Sequence, residues 1–215
     1  MKLLFFIVSI IYTSWCFADV TSSTYYMNGI KVDKYSYTYK GNELKSCDSK
    51  GECDVIYNKD RSYCNNLLKL RNKEDANIRM RWECPLYDSV HNLKDYKIKL
   101  SDDPAFSYYS FNLYKIFSAF EFVKKEHSYY FENINALVGI TPNDIMIPAD
   151  INDVVEGITI EINKDGYVTN EIYNLSNKNI IHRTYTYKNM KILKISDTVS
   201  KNSKVIFLSE NIYSY

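Results

Sequence analysis

Four cysteines, Cys47, Cys53, Cys64 and Cys84, fall within one short stretch of the chain. Cysteine chemistry divides into thiolate nucleophiles, metal ligands and disulfides. A structural zinc site needs close pairs that chelate from a single turn, and the intervening gaps of 5, 10 and 19 residues contain no C-x-x-C. An even number of cysteines behind a secretory leader reads instead as two disulfides, with three pairings open. A disulfide-bonded sulfur is not a thiolate, so no cysteine nucleophile is expected.

The remaining reactive side chains form no catalytic motif. His91, His127 and His182 stand in separate neighbourhoods, none beside a serine or cysteine nucleophile, and H-E-x-x-H is absent. Asp150, Asp153 and Glu156 follow Pro148 as an acidic group, which on a loop reads as solvated charge. Between Glu161 and Ile172, oxygen-bearing side chains alternate around Gly166, making Asn163, Asp165 and Glu171 calcium-loop-like candidates. The fit fails at both ends: Glu161 stands where aspartate is needed, and Glu171 comes one residue early, leaving Ile172 at the closing position. The flanks alternate as strands, so the expectation is a hairpin turn, with no metal and no cofactor. One glycosylation acceptor, Asn174-Leu175-Ser176, lies in a polar stretch that reads as a loop.

Composition narrows the class of protein that carries these residues. The 215 residues include 27 Lys+Arg and 26 Asp+Glu, so there is no electrostatic footprint for nucleic acid or an anionic membrane. Six glycines leave no P-loop and no G-x-G-x-x-G. Aromatic residues at 15% and balanced charge belong to a folded chain. Residues 1–18 begin with Lys2, run apolar from Leu3 to Tyr12, and end Cys16-Phe17-Ala18, a small-x-small site before Asp19. That is the shape of a secretory signal peptide, its apolar run well short of the roughly 20 residues a spanning helix needs. No later stretch is long enough to cross a bilayer, so the expected destination is the secretory lumen or the outside of the cell.

The elements that must position these residues are read from periodicity. Alternation between Tyr25 and Tyr39 predicts a strand, and 45–63 reads as turn-rich and held by cysteines. Ile78, Met80, Trp82 and Cys84 fall on one face of a further strand, where Trp82 reads as a core anchor packed on a disulfide. Tyr96–Leu100 predicts a short strand, and a strand is expected to run into a helix from about Tyr114 to Lys125. The stretch 129–153 reads as irregular, broken by Pro142 and Pro148. Ile158–Ile162, a turn at Asn163–Gly166 and Tyr167–Ile172 predict a hairpin, followed by strands over Ile180–Lys188, Lys191–Ser196 and Lys204–Ser209. The expected fold is mainly β, a disulfide-stapled sheet or sandwich with one or two helices. Its divisions are a signal peptide at 1–18, a cysteine-containing β domain at 19–115, and a helix-plus-hairpin region at 116–215 that forms a second unit or completes the first.

The ordered series Leu44-Lys45-Ser46-Cys47, Gly51-Glu52-Cys53-Asp54, Cys64 and Arg81-Trp82-Glu83-Cys84, after a tyrosine-rich strand, resembles the luminal domain of the store-operated calcium entry-associated regulatory factor family. The resemblance spans about residues 35–114. The gap from Cys64 to Cys84 is longer than in that family, and a later cysteine pair is missing, with Ser101 and Ser110 in its neighbourhood. The family's membrane-spanning helix and Ser/Pro-rich cytosolic tail have no counterpart, nor do residues from about 116 onward. The resemblance implies a β-rich luminal fold and a link to calcium refilling through the reticulum calcium sensor.

The expected function is that of a secreted or luminal, non-enzymatic protein-binding module, in its narrower form a soluble relative of that calcium-entry regulator. The expected partner is a protein, because tyrosine-rich exposed strands offer area at low entropic cost. A secreted parasite or viral effector that binds a host factor is a further expectation. The rival is a secreted hydrolase whose site is assembled from dispersed histidines and acids. A deep pocket joining His127 or His182 to an acid and a hydroxyl would mark the enzyme, and a broad exposed Tyr/Ile strand face or an open sheet edge would mark the binder.

Overall fold

Period-two alternation with tight turns folds most of the chain into strands. The computed structural model describes residues 19–70, 73, 83–84, 93–136 and 154–215. The leader at 1–18, the strand expected around Trp82, His91, and Asp150 with Asp153 lie outside these residues. The elements run β1 (Ser22–Met27), β2 (Ile30–Lys40), β3 (Glu43–Cys47), β4 (Cys53–Asn58), α1 (Arg61–Lys69), α2 (Ser107–Ala119), β5 (Val123–Lys125), β6 (Ser128–Ala136), β7 (Val155–Ile162), β8 (Val168–Leu175), β9 (Asn179–Lys188), β10 (Lys191–Lys201) and β11 (Lys204–Ser214). The strands form one antiparallel sheet of 11 in the order β4-β3-β2-β1-β11-β10-β9-β8-β7-β6-β5, so the fold is mainly β. Residues from both sides of position 115 build it, joined where β1 pairs with β11.

Turns set the register. Asn28-Gly29, Asn189-Met190 and Asn202-Ser203 each close a hairpin with two residues at positive φ, the twist that matches neighbouring strands. Asparagine tolerates the first position, and Gly29 carries no Cβ penalty at φ 79°. One phase of β7 to β11 is then buried: Ile158 and Ile160 on β7, Tyr173 and Leu175 on β8, Ile181 and Tyr185 on β9, Ile195 and Val199 on β10, and Phe207 and Tyr213 on β11.

Helix α2 covers part of this layer. The Asp103 carboxylate accepts the Ala105 N–H at 2.9 Å, Pro104 opens a 3-10 turn, and Leu113, Ile116 and Phe117 recur on the side that is buried. Helix α1 starts where Asp60 accepts the N–H groups of Ser62 and Tyr63. Two disulfides staple this half: Cys47–Cys53 joins facing residues of β3 and β4, and Cys64–Cys84 ties α1 to residue 84. Cys64, Leu67 and Cys84 make a small second core with Tyr63 against it.

Several local expectations change. The strand expected from Tyr25 to Tyr39 is two, because Asn28-Gly29 reverses the chain. The turn-rich 45–63 stretch contains most of β3, all of β4 and the start of α1. Tyr96–Leu100 is not a strand: a 3-10 turn spans Leu93–Tyr96, and Lys99 makes one isolated parallel bridge to Tyr167. The helix begins earlier, at Ser107, because the cap at Asp103 and Pro104 precedes it, and it stops where Phe120 turns extended. The irregular reading of 129–153 gives way to β6 up to Ala136, held by pairing with β7. Asn174 stands in β8 and not in a loop.

Candidate functional site

The buried phase of β8, β9 and β10 carries charge. Glu171 faces Arg183 across β8–β9, and Arg183 faces Asp197 across β9–β10. All three are buried. Arg183 donates from Nε to Asp197 Oδ1 at 2.7 Å and from its terminal nitrogen to Oδ2 at 3.0 Å, a fork-to-fork geometry. Its guanidinium lies 4.9 Å from the centre of the Tyr109 ring on α2. Glu171 accepts the phenol hydroxyls of Tyr173 and Tyr185. Burial, then the Glu171 charge, holds the Tyr185 phenol well above the usual tyrosine range. This ladder is satisfied by its own members, and it docks α2 onto the sheet.

Glu171 is thereby committed to the interior. Asn163 and Asp165 sit elsewhere, in the β7–β8 turn, where Asn163 Oδ1 accepts the N–H groups of Asp165 and Tyr167 at 3.0 Å each. Gly166 takes φ 86° and comes so close to the Lys97 carbonyl that a Cβ would lie 3.1 Å from it. The three calcium-loop-like residues therefore do not converge, and the hairpin accounts for the turn pair.

His182 lies on the opposite, solvent-facing phase of β9 and meets the Asn170 amide and the Thr184 hydroxyl. Asn170 donates from Nδ2 to Glu161 at 2.7 Å, which leaves its Oδ1 to accept from Thr184 at 3.1 Å. His182 Nε2 is 3.0 Å from the same oxygen and must carry the proton. It therefore has no lone pair to offer Thr184, 3.4 Å away. His127 is exposed in the β5–β6 turn, away from this group. The described histidines are thus not joined with an acid and a nucleophile in one pocket.

A cleft of about 260 Å³ opens at the end of the sheet where the β9–β10 turn and Tyr215 lie, lined by Asp19, Asp102, Asp103, Tyr167, Lys191 and Tyr215 among others. Asp103 is mainly structural, since its carboxylate also accepts the N–H of buried Val20 at 2.7 Å. Burial raises its pKa against these two hydrogen bonds. Lys191 and Lys99 lie over the rings of Tyr215 and Tyr167 at 4.5 and 5.4 Å. Burial raises both phenols, helped by Asp103 at Tyr215 and by Asp102 and Asp165 at Tyr167. The cleft offers carboxylates and aromatic faces for recognition, and its Ser101 hydroxyl is used in accepting the Asp103 N–H.

Raised phenols give a testable pH dependence. Tyr39, 41% exposed as a residue, is pushed up to about 12, chiefly by partial desolvation of its ring and then by Asp19. A folded pKa above the unfolded value near 10 makes its contribution complete below pH 10 and lost as pH rises through 12. Phenolate absorbance is expected in two waves, with unfolding stability falling between them. A single wave near pH 10, without loss of stability, would contradict the burial of these rings.

The other surface feature is aliphatic. Ile30 and Val32 on β2 are 72% and 54% exposed, and Val205 and Ile206 on β11 are 56% and 43% exposed. Asn28 binds its neighbour strand twice, through its N–H to the Leu208 carbonyl at 2.8 Å and through Oδ1 from the Leu208 N–H at 3.0 Å. This clamp sets the β1–β2 and β10–β11 turns at the same end of the sheet, where Ile30 pairs into the row of Met27 and Ser209 and Val205 into the opposite-facing row of Ser200 and Ile180. The exposure of the four aliphatic side chains was not legible beforehand, because alternation marks two phases without saying which one lacks cover. Among the described residues, no helix is long and apolar enough to cross a membrane. Comparison with protein-family models, curated proteins and solved structures gives no match.

Proposed function

We propose that the chain is a disulfide-stapled protein-binding module of the secretory lumen or extracellular space, without catalytic activity. The observation that carries this reading is two exposed aliphatic pairs, Ile30 and Val32 on β2 and Val205 and Ile206 on β11, at one end of a sheet whose edge strands among the described residues are β4 and β5. Adjacent large apolar side chains left in water, as in each of these two pairs, are the usual mark of a contact surface. The edges themselves are blunted. Strand β5 has three residues, two of them lysines, and β4 is stapled to β3. Contact through side chains is favoured over strand addition. The narrower reading, a soluble relative of the calcium-entry regulator acting on calcium handling, draws support from the order of its cysteines, their engagement in two disulfides and the β-rich setting.

The test is crosslinking capture with residues 19–215, from luminal and cell-surface fractions separately, beside an Ile30→Ser/Val205→Ser variant. Fully burying one such side chain is worth about 1.5–3 kcal/mol, so the double variant should lose at least tenfold in partner recovery. Recovery of the reticulum calcium sensor would favour the narrower reading, and a surface receptor would favour an extracellular binder. Equal recovery with both proteins, or none with either, would overturn the assignment of this surface.

A further inference from the structure

The acceptor sequence Asn174-Leu175-Ser176 has a setting in the sheet that its residue types do not reveal. Alternation along β8 buries Tyr173 and Leu175 and turns Asn174 to the solvent face, where it is exposed. Its neighbours in register form one row across five strands: Gly157 on β7, Asn174 on β8, Ile180 on β9, Ser200 on β10 and Val205 on β11. Gly157 gives that row a gap, since a Cβ placed there would stand 3.8 Å from Asn174 Nδ2. On the other side Ile180 is 39% exposed, an apolar patch beside the amide. The Asn174 carboxamide makes no hydrogen bond among the described residues, unlike Asn170 four residues earlier on the same strand.

We propose that Asn174 carries an asparagine-linked oligosaccharide, seated on the solvent face of the sheet over the bare Gly157 and against Ile180. This rests on the secretory reading above, because the transferase and its lipid-linked donor are confined to that pathway. In the transfer, a bond forms between Asn174 Nδ2 and C1 of the first sugar. The C1–O bond to a polyprenyl pyrophosphate breaks, its electron pair leaves with the pyrophosphate, and the amide gives up one proton. The acceptor is used before β8 is enclosed: in the folded chain β8 pairs on both sides, and the Ser176 N–H is bonded to the Val154 carbonyl at 2.9 Å. The finished sheet then holds the sugar outward without displacing a core side chain. It also covers Ile180, in the row that ends at Val205, and leaves Ile30 and Val32 on β2 outside that row.

The test is synthesis of the full chain, with its own leader, in the presence of microsomes, followed by protease protection and endoglycosidase digestion. A protected chain bearing one endoglycosidase-sensitive addition, lost in both Asn174→Gln and Ser176→Ala, is the expected result. A protected chain at its unmodified mass would overturn the glycan while leaving the secretory reading in place. An unprotected, unmodified chain would overturn both. The seat is tested separately by melting: the glycosylated protein should unfold at or above the temperature of Asn174→Gln. A lower melting temperature would overturn the outward seat, because the sugar would then be straining the sheet.

Discussion

Replacing Arg183 with alanine is expected to destabilise the fold by about 3–5 kcal/mol, the cost of leaving a buried partner uncompensated. Two carboxylates face this guanidinium in register, Glu171 on β8 and Asp197 on β9's other neighbour, β10. Asp197 loses both of its forked donors in the variant, while Glu171 keeps the phenols of Tyr173 and Tyr185. The Tyr109 ring on α2 loses the cation stacked on it, so the helix loosens together with the strands. The distinguishing comparison is the pair Arg183→Met/Asp197→Leu, which removes both charges and keeps apolar volume. Its loss should be smaller than that of the single alanine variant, since no unpaired charge remains. Urea unfolding of the three proteins checks this. If the single variant stays within 1 kcal/mol of wild type, the ladder is not the buried network described.

Phe117→Ala should cost a similar amount, about 3–5 kcal/mol, for a different reason. The Phe117 ring sits at the centre of an aromatic group, 5.0 Å from Tyr96 and Phe131, 5.1 Å from Tyr129 and 5.4 Å from Phe122. Most of these pairs are edge-on, which suits the ring quadrupole, and truncation deletes them together with the buried area. They come from α2, the link between α2 and β5, β6 and the Leu93–Tyr96 turn, so the cavity opens where four segments meet. Phe117→Leu keeps part of the volume and should lose clearly less. An equal loss for leucine and alanine would mean that the site collapses around either residue and that the ring geometry contributes little.

The elements legible beforehand are those whose signal is local. Ile158, Ile160 and Ile162 alternate up to Asn163–Gly166, and β7 and β8 meet at that turn. The Asn28-Gly29 pair was a hairpin signal of the same kind, masked by unbroken alternation on both sides. Helix α1 has only Cys64 and Leu67 buried in its nine residues, too few apolar positions to declare a period. The charged ladder did leave a trace, since Arg183 stands between Ile181 and Tyr185, and Asp197 between Ile195 and Val199. A charge on the apolar phase of adjacent strands predicts a buried pair. Seeing it requires knowing that those strands are neighbours and in which register. The cleft had no such trace, because Asp19, Asp102, Tyr167, Lys191 and Tyr215 come from five separate parts of the chain.

The pairing of β1 with β11 also dictates an order of events during synthesis. Thr21 and Ser214 are 193 residues apart in the chain, yet the Thr21 N–H binds the Ser214 carbonyl at 2.9 Å. As the polypeptide emerges, the hairpins β1–β4 must wait with one flank of β1 unoccupied until β11 has been made. For that interval they are a solvent-exposed half-sheet whose unpaired backbone invites the wrong partner. The Cys47–Cys53 and Cys64–Cys84 staples join residues of this waiting half alone, so oxidation can fix its shape before the closing strand arrives. Loss of the last ten residues would leave that flank of β1 permanently unpaired. Joining the two ends by a short linker, by contrast, would shorten the longest search the folding chain has to make.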